Sequence, residues 1–288
     1  MAVESRCVAI GVPCFNEASR VAALGDALAR LHPAPGALLA VDDGSSDGTA
    51  GALRDAGFEV LVHEVNAGLG TTRNTLWRRA DERGFQAIAF LDADVRPPPD
   101  YLRRICDLLA QGRVAGVGGR NIDDGDRWVD AWRGRFFPQS MGERDLIDAP
   151  MLVGACATYR VAALKDVGGF SPRFRTHGED VDLGRRLRAA GHRLRYDPNI
   201  LVRHQRQDDP RSLVRNCYLH CREGMRATLA TRGLEPAAPD LVMGMARKAV
   251  HAPFASLVRR RDPREAALGA AACGAALAGY AAGLFRPR

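Results

Sequence analysis

Two aspartates one residue apart close an apolar run in "AIAFLDAD", residues 87–94. Carboxylates at i and i+2 beyond a strand can reach one hard divalent cation. Mg²⁺ or Mn²⁺ held that way also binds a diphosphate. A second acidic cluster, "VDDGSSDGT" (41–49), closes another apolar run. Asp47 or Ser46 suits the cap of the helix that follows. Capping leaves Asp42 and Asp43 unexplained; their carboxylates could accept hydrogen bonds from a nucleobase imide and a ribose. A third pair, Glu179 and Asp180 in "GED", opens a helical pattern, where the helix dipole favours acids. Either aspartate cluster alone also fits a solvated turn, so their placement has to decide.

The elements that must position them alternate. Apolar runs at 7–13, 37–42, 58–64, 87–92 and 114–119 read as strands, and the intervals 17–31, 48–56, 69–83 and 99–111 read as helices. Continuous apolar runs separated by helices predict an α/β fold with a doubly wound, mostly parallel sheet covered on both faces. Ligands of such sheets sit beyond the carboxyl ends of the strands. "PCFNE", "DDGSSDGT" and "DAD" follow three different strands there, so three loops converge on one edge. Residues 120–150 read as an irregular, aromatic-dotted excursion. A strand and short helix return in "MLVGACATYRVAAL", a helix follows "GED", and "HRLRYDPNILVRHQ" supplies a last strand. From about 209 the pattern is helical, with a Pro-containing break near 236–239. The expected organisation is a catalytic domain over 1–208, divided into a nucleotide-binding half (1–119) and an acceptor half (120–208), then a helical region over 209–288.

The 288 residues carry a net charge of +7 and 46% hydrophobic residues, which suits a large α/β domain with an appendage. Aromatics are 6% and scattered, and no nucleic-acid motif occurs, so phosphorylated ligands or anionic membrane rank above nucleic acid. Seven cysteines without framework spacing predict reduced thiols and a cytoplasmic protein. Cys217, His220 and Cys221 share a helical face, but no second pair completes a metal site. The N-terminus lacks a secretory pattern. A G-x-G-x-x-G after the first strand is missing, which sets aside a dinucleotide dehydrogenase.

Five motifs in order carry a resemblance: "VPCFNE" (12–17), "VDDGSSDGT" (41–49), "NAGLGTTRN" (66–74), "LDAD" (91–94) and "GEDVDLGRRLRAAGHRLRYDPNILVRH" (178–204). Over about 7–205 the chain resembles inverting glycosyltransferases of the GT-A fold, family 2. The resemblance implies a Rossmann-like GT-A sheet and a nucleotide-sugar donor, UDP-linked by preference. It places Phe15 against the base, where relatives often have tyrosine, with Pro13 in the same motif at the donor site. Asp43 would bond the base, Asp42 or Glu17 the base or ribose, and Arg73 the base or diphosphate. Asp92 and Asp94 would hold ribose and metal, with His204 a further ligand to Mn²⁺ or Mg²⁺. Gly154 would lie in a strand whose backbone approaches the donor sugar. Asp180 would be the general base, with Glu179 orienting the acceptor or supporting Asp180. The Q-x-x-R-W signature of processive members is missing, which points to addition of one sugar. A nucleotidyltransferase would share the sheet and metal site without needing "GED", and a non-catalytic sugar-nucleotide-binding protein would have lost acids that are all retained here.

The stretch 240–261 mixes apolar residues with Arg247, Lys248 and Arg259–Arg261, and 265–285 has a single charge at its start. That segment could span a membrane, lie at its surface, or pack as a soluble helix. With Arg203, Arg206, Arg211, Arg215, Arg222 and Arg226, the basic residues suit a phosphorylated or lipid-linked acceptor and a peripheral position on the cytoplasmic face of an anionic membrane.

Overall fold

A computed structural model describes residues 3–111, 114–231 and 262–285. The basic stretch at 240–261 and the break near 236–239 lie outside the described residues. Two compact units emerge, Met1–Ile122 with Gln139–Gln205, and Asp123–Pro138 with Arg206–Arg288. The second thus takes in part of the excursion that the sequence reading assigned to the acceptor half.

In the first unit the chain runs β1 (Val8–Cys14), α1 (Ala18–Ala29), β2 (Ala37–Asp42), α2 (Thr49–Asp55), β3 (Glu59–Val62), α3 (Leu69–Glu82), β4 (Ala87–Leu91), β5 (Val95–Arg96), α4 (Tyr101–Ala110) and β6 (Val114–Asp123). After the 123–138 segment, with its helix α5 (Trp128–Phe136), come β7 (Cys156–Arg160), α6 (Val161–Asp166), α7 (Glu179–Ala189) and β8 (Arg193–His204). The eight strands form one sheet in the order β3-β2-β1-β4-β7-β6-β8-β5.

Every residue of β1 and β4 is buried, as continuous apolar runs require when both faces are covered. Alternate residues serve opposite faces: Val8, Ile10, Val12 and Cys14 join one core cluster, and Ala9 joins the other. Helix α4 covers its side with Tyr101, Leu102, Ile105, Leu108 and Leu109, the spacing of an amphipathic stripe.

Strands β1 to β4 are parallel, and β7 is antiparallel to both β4 and β6, so β6 runs in the sense of β4. The sheet is therefore mostly parallel, as expected, with β7 inserted against the grain. Cys14 is in register with Asp42, and Asp42 with Val62, which aligns the ends of β1, β2 and β3. The pairing Leu91–Cys156 brings the start of β7 to the end of β4, and Val95–His204 brings the end of β8 beside the aspartates.

In the second unit, α8 (Pro210–Ala230) and α9 (Pro263–Phe285) follow α5. The expected irregular excursion thus contains a helix. Trp128, Trp132 and Phe136 recur every four residues there, and Trp132 is fully buried with Val129, Leu213, Cys217, Leu268 and Ala272. Cys217 and Cys221 are core residues of α8 while His220 is exposed.

Candidate active site

The turn after β2 answers the question posed by its paired acids. Asp47 caps two helices: Oδ1 accepts from the backbone N–H of Thr49 (3.1 Å), and Oδ2 from that of Ala18, the first residue of α1 (3.1 Å). Asp42 is buried and accepts from Ser45 N (3.1 Å). Asn16 adopts a left-handed φ of 57°, and its side chain accepts from Ser46 N (3.0 Å), which locks the β1 and β2 loops together. Phe15 is 47% exposed beside the cluster.

Asp43 is only 3% exposed, and its carboxylate is nearly saturated. Oδ1 accepts from His63 Nδ1 (2.6 Å) and Ala67 N (2.9 Å), and Oδ2 accepts from Gly68 N (2.8 Å). Burial alone would raise its pKa, but the bonds from His63, Ala67 and Gly68 outweigh that and hold the carboxyl below its usual value. His63 in turn meets Thr75 Oγ1 through Nε2 (3.0 Å). His63 and Thr75 were missed from sequence. They lie 20 and 32 residues from Asp43 on β3's exit and α3, and only the parallel β2–β3 register brings them there.

At the end of β4 the buried Arg73, 1% exposed, joins two acids from distant segments. Nη1 donates to Glu179 Oε1 (2.6 Å), and Nη2 to Asp92 Oδ1 (3.2 Å). The guanidinium also faces the rings of Phe90 and Phe170 at 5.9 and 5.6 Å. Gly154 lies in the turn ahead of β7 rather than in the strand expected for it, because β7 begins only at Cys156. A Cβ at 154 would stand 2.5 Å from Arg73 Nη1, so only glycine fits. The Gly154 N–H faces Asp180 Oδ2 at 3.4 Å, and Val181 N donates to Asp180 Oδ1 (2.8 Å).

Burial, then repulsion from Asp180, pushes the Glu179 carboxyl up to about 7. Burial also raises Asp180 and Asp92, the latter aided by Asp94. Glu179 Oε2 and Arg73 Nε are buried without a hydrogen-bond partner, an expense normally found at functional sites.

Asp94 Oδ1 lies 3.3 Å from His204 Nε2, and Arg20 stands 3.9 Å from Asp94 Oδ2 while bonding Glu17 at 2.6 Å. Burial raises Glu17 despite Arg20. Among the described residues no group of three or more His, Cys, Asp and Glu is placed to hold a metal, and Asp92 is bonded to Arg73. A carboxylate and an imidazole meeting at one edge nonetheless fit a hard cation whose other ligands come from phosphate and water. Pro13 is buried within β1 in register with Val41, so it shapes the strand end and offers no polar group.

The family model of Glycosyl transferase family 2 matches residues 9–168, from β1 through α6. The pre-mycofactocin glycosyltransferase of Mycobacterium tuberculosis is 33% identical over 254 residues, which cover 83% of this chain and 51% of the relative. The chain spans about half the length of that relative. An undecaprenyl-phosphate mannosyltransferase of Micrococcus luteus is 26% identical over 197 residues, 64% of this chain and 78% of the relative. Among solved structures, a mannosyltransferase of Pyrobaculum calidifontis in complex with GDP-Man and Mn²⁺ matches with a TM-score of 0.65 at 18% identity, over 96% of this chain and 87% of that one, and so shares the fold. With a match over more than half its length and the five motifs gathered on one edge of a GT-A sheet, the chain belongs to glycosyl transferase family 2.

Proposed function

We propose that the protein transfers one sugar, with inversion, from a UDP-linked donor to an acceptor hydroxyl, with Asp180 as general base and a divalent cation at Asp94 and His204. The observation that carries this reading is Arg73, which ties Asp92 on the donor side to Glu179 beside the base. In the step itself the Asp180 carboxylate takes the acceptor proton. The freed oxygen attacks the anomeric carbon, the bond from that carbon to the diphosphate breaks, and the nucleoside diphosphate leaves with the electron pair. Raised by burial, Asp180 is a stronger base than an exposed aspartate. Glu179, held by Arg73, positions the acceptor side. When bound, Mn²⁺ or Mg²⁺ would supply positive charge to the departing diphosphate, with Asp94 and His204 as its protein ligands and Asp92 at the ribose.

Asp43 supports uracil as the base. Oδ1 already accepts two bonds and Oδ2 one, which leaves a single acceptor position. Uracil presents one imide N–H, whereas guanine presents two adjacent donors that need a free bidentate carboxylate. Phe15 offers the exposed ring for the base to lie on, with Asp42 or Glu17 near the ribose. A lipid-linked or phosphorylated acceptor is supported by the likeness to an undecaprenyl-phosphate mannosyltransferase, and the basic residues of the chain favour the cytoplasmic face of an anionic membrane.

The test is transfer and donor hydrolysis across a panel of UDP- and GDP-sugars, read by mass spectrometry, for wild type and Asp180→Asn. UDP donors should be used. The variant should bind donor normally and lose on the order of 10²–10⁴ in turnover. Near-normal turnover would move the base to Glu179, and preference for GDP donors would refute the assignment at Asp43.

A further inference from the structure

Helices α8 and α9 run side by side in the same sense. A Cβ at Gly279 would stand 2.3 Å from the Tyr218 carbonyl, and one at Gly283 2.8 Å from that of Arg222, so glycines let the two backbones close up along their length. Both helices start at one end of the pair. An open groove of about 620 Å³ lies there, with Arg211, Arg215 and Arg264 on it.

These three arginines differ from their neighbours. Arg222 and Arg226 share Glu223, Arg206 bonds Asp208, and Arg135 bonds Glu265. Arg211, Arg215 and Arg264 are exposed and meet no carboxylate among the described residues. The nearby acids Asp209 and Asp262 are committed to capping: Asp209 accepts from Ser212 N, and Asp262 from Arg264 N. The groove floor is apolar, formed by Val214 and Leu268, and Trp128 on it is 40% exposed.

Away from the groove, α9 has an outward face without charge. Gly274, Leu277, Ala278, Ala281 and Leu284 are exposed along it, and no ionisable side chain except Cys273 and Tyr280 occurs between 266 and 284. By length and hydropathy the helix could cross a bilayer. Its packing argues otherwise. Spanning would carry Arg222, Glu223 and Arg226 of α8 into hydrocarbon, where each charge at the helix centre costs about 2.5–3.5 kcal/mol.

We propose that the second unit docks on an anionic phospholipid bilayer, with the outward face of α9 at the acyl boundary and Arg211, Arg215 and Arg264 on the lipid phosphates. The proposal deepens the membrane part of the reading above and is independent of the transfer chemistry. An apolar stripe ending in three cations that meet no carboxylate among the described residues complements a phospholipid interface, apolar below and anionic at its rim. Trp128 sits where an amphipathic ring belongs in such an interface.

Flotation of the full-length protein with vesicles tests it, using phosphatidylcholine alone and phosphatidylcholine with about one-third phosphatidylglycerol. Each arginine near the surface contributes about fivefold to partitioning, so Arg211→Gln/Arg215→Gln/Arg264→Gln should lose on the order of 100-fold on anionic vesicles. Arg222→Gln/Arg226→Gln, which strips arginines already neutralised by Glu223, should stay within about threefold. Trp77 and Trp132 are buried, so a blue shift of tryptophan emission on anionic vesicles should vanish in Trp128→Phe. Equal binding to neutral vesicles, wild-type binding by the triple variant, or resistance to carbonate extraction would each overturn the proposal. So would competition by inorganic phosphate at matched ionic strength, which would mark a soluble-phosphate site. Donor hydrolysis by wild type without vesicles is measured alongside, and its absence would refute the transfer reading while leaving the docking result intact.

Discussion

Gly154→Ala adds one methyl group where the site is most tightly closed. The new Cβ would stand 2.5 Å from Arg73 Nη1, 2.7 Å from Nη2 and 2.9 Å from Cζ. The guanidinium has no free retreat, since it is bonded to Glu179 and Asp92 and lies against two rings. Overpacking by a methyl costs about 1–3 kcal/mol. Driving the buried cation off its partners costs about 3–5 kcal/mol. The chain takes the cheaper route and shifts the 154 turn, so a destabilisation of about 2–3 kcal/mol is expected. For a urea m-value of about 2–3 kcal/mol/M, the unfolding midpoint falls by roughly 1 M. Moving the turn also moves the N–H that faces Asp180, and a misplacement near 1 Å costs on the order of 10² in turnover. Arg73→Met removes the obstacle, so Gly154→Ala in that background should add little, a coupling of about 0.5–3 kcal/mol. Additive effects in the double variant, or wild-type stability and turnover in Gly154→Ala, would refute the reasoning.

Asp94→Asn should weaken UDP binding measured by calorimetry with Mn²⁺ far more than without it, and chelator should abolish transfer; full activity in excess chelator would remove the cation from the mechanism. His63→Leu leaves a buried carboxylate short of one donor and should cost about 1–3 kcal/mol of stability along with UDP affinity, while His63→Gln restores part of both; unchanged UDP affinity in His63→Leu beside a loss in Asp43→Asn would confine His63 to packing. The folded pKa of Glu179 is raised from 4.5 to about 7, and Asp180, Asp92 and Glu17 are raised too, so the folded state holds more protons than the unfolded. Stability should therefore fall as pH rises from about 4.5 to 7 and level off above, with the buried Glu179–Asp180 pair the main contributor; denaturation at pH 5 and pH 8 showing the opposite slope would contradict it.

The strands and helices of the first half were legible because both-face burial leaves a strong signature. β2 matches its expected bounds, and α3 and α4 fall within a residue or two of theirs. The edge on which the acids gather followed from topology alone. Residues whose role depends on tertiary register were not legible. His63 and Thr75 look like ordinary polar residues until β3 is laid beside β2. Gly154 reads as part of an apolar strand, and only the approach of Arg73 from α3 shows why a turn stands there. The helix α5 was hidden because its apolar spacing, Trp128, Trp132 and Phe136, is interrupted by Arg127, Asp130, Arg133 and Arg135, which themselves form ion pairs within the second unit.

Charge at the strand ends carries the remaining step. Glu17, Asp42, Asp43, Asp92, Asp94, Glu179 and Asp180 gather at this edge, against Arg20, Arg73 and Arg96 and the two histidines His63 and His204. Even with both histidines charged, the acids outnumber the cations. Burial raises the carboxyls of Glu17, Asp92, Glu179 and Asp180, and repulsion from neighbouring carboxylates adds to it for Glu17, Asp92 and Glu179. A nucleoside diphosphate brought here adds further negative charge, while the chain's net +7 is spread over its whole surface. Coulomb repulsion between unit charges 4 Å apart is about 4 kcal/mol at an effective dielectric of 20. The arginines already at the edge are engaged, Arg73 by two acids, Arg20 by Glu17 with Asp94 near, and Arg96 by the carbonyls of Ala93 and Val95. On the proposed reading, donor binding would call for a cation that arrives with the diphosphate, and the carboxylate–imidazole pair of Asp94 and His204 is the ligand set we propose for it.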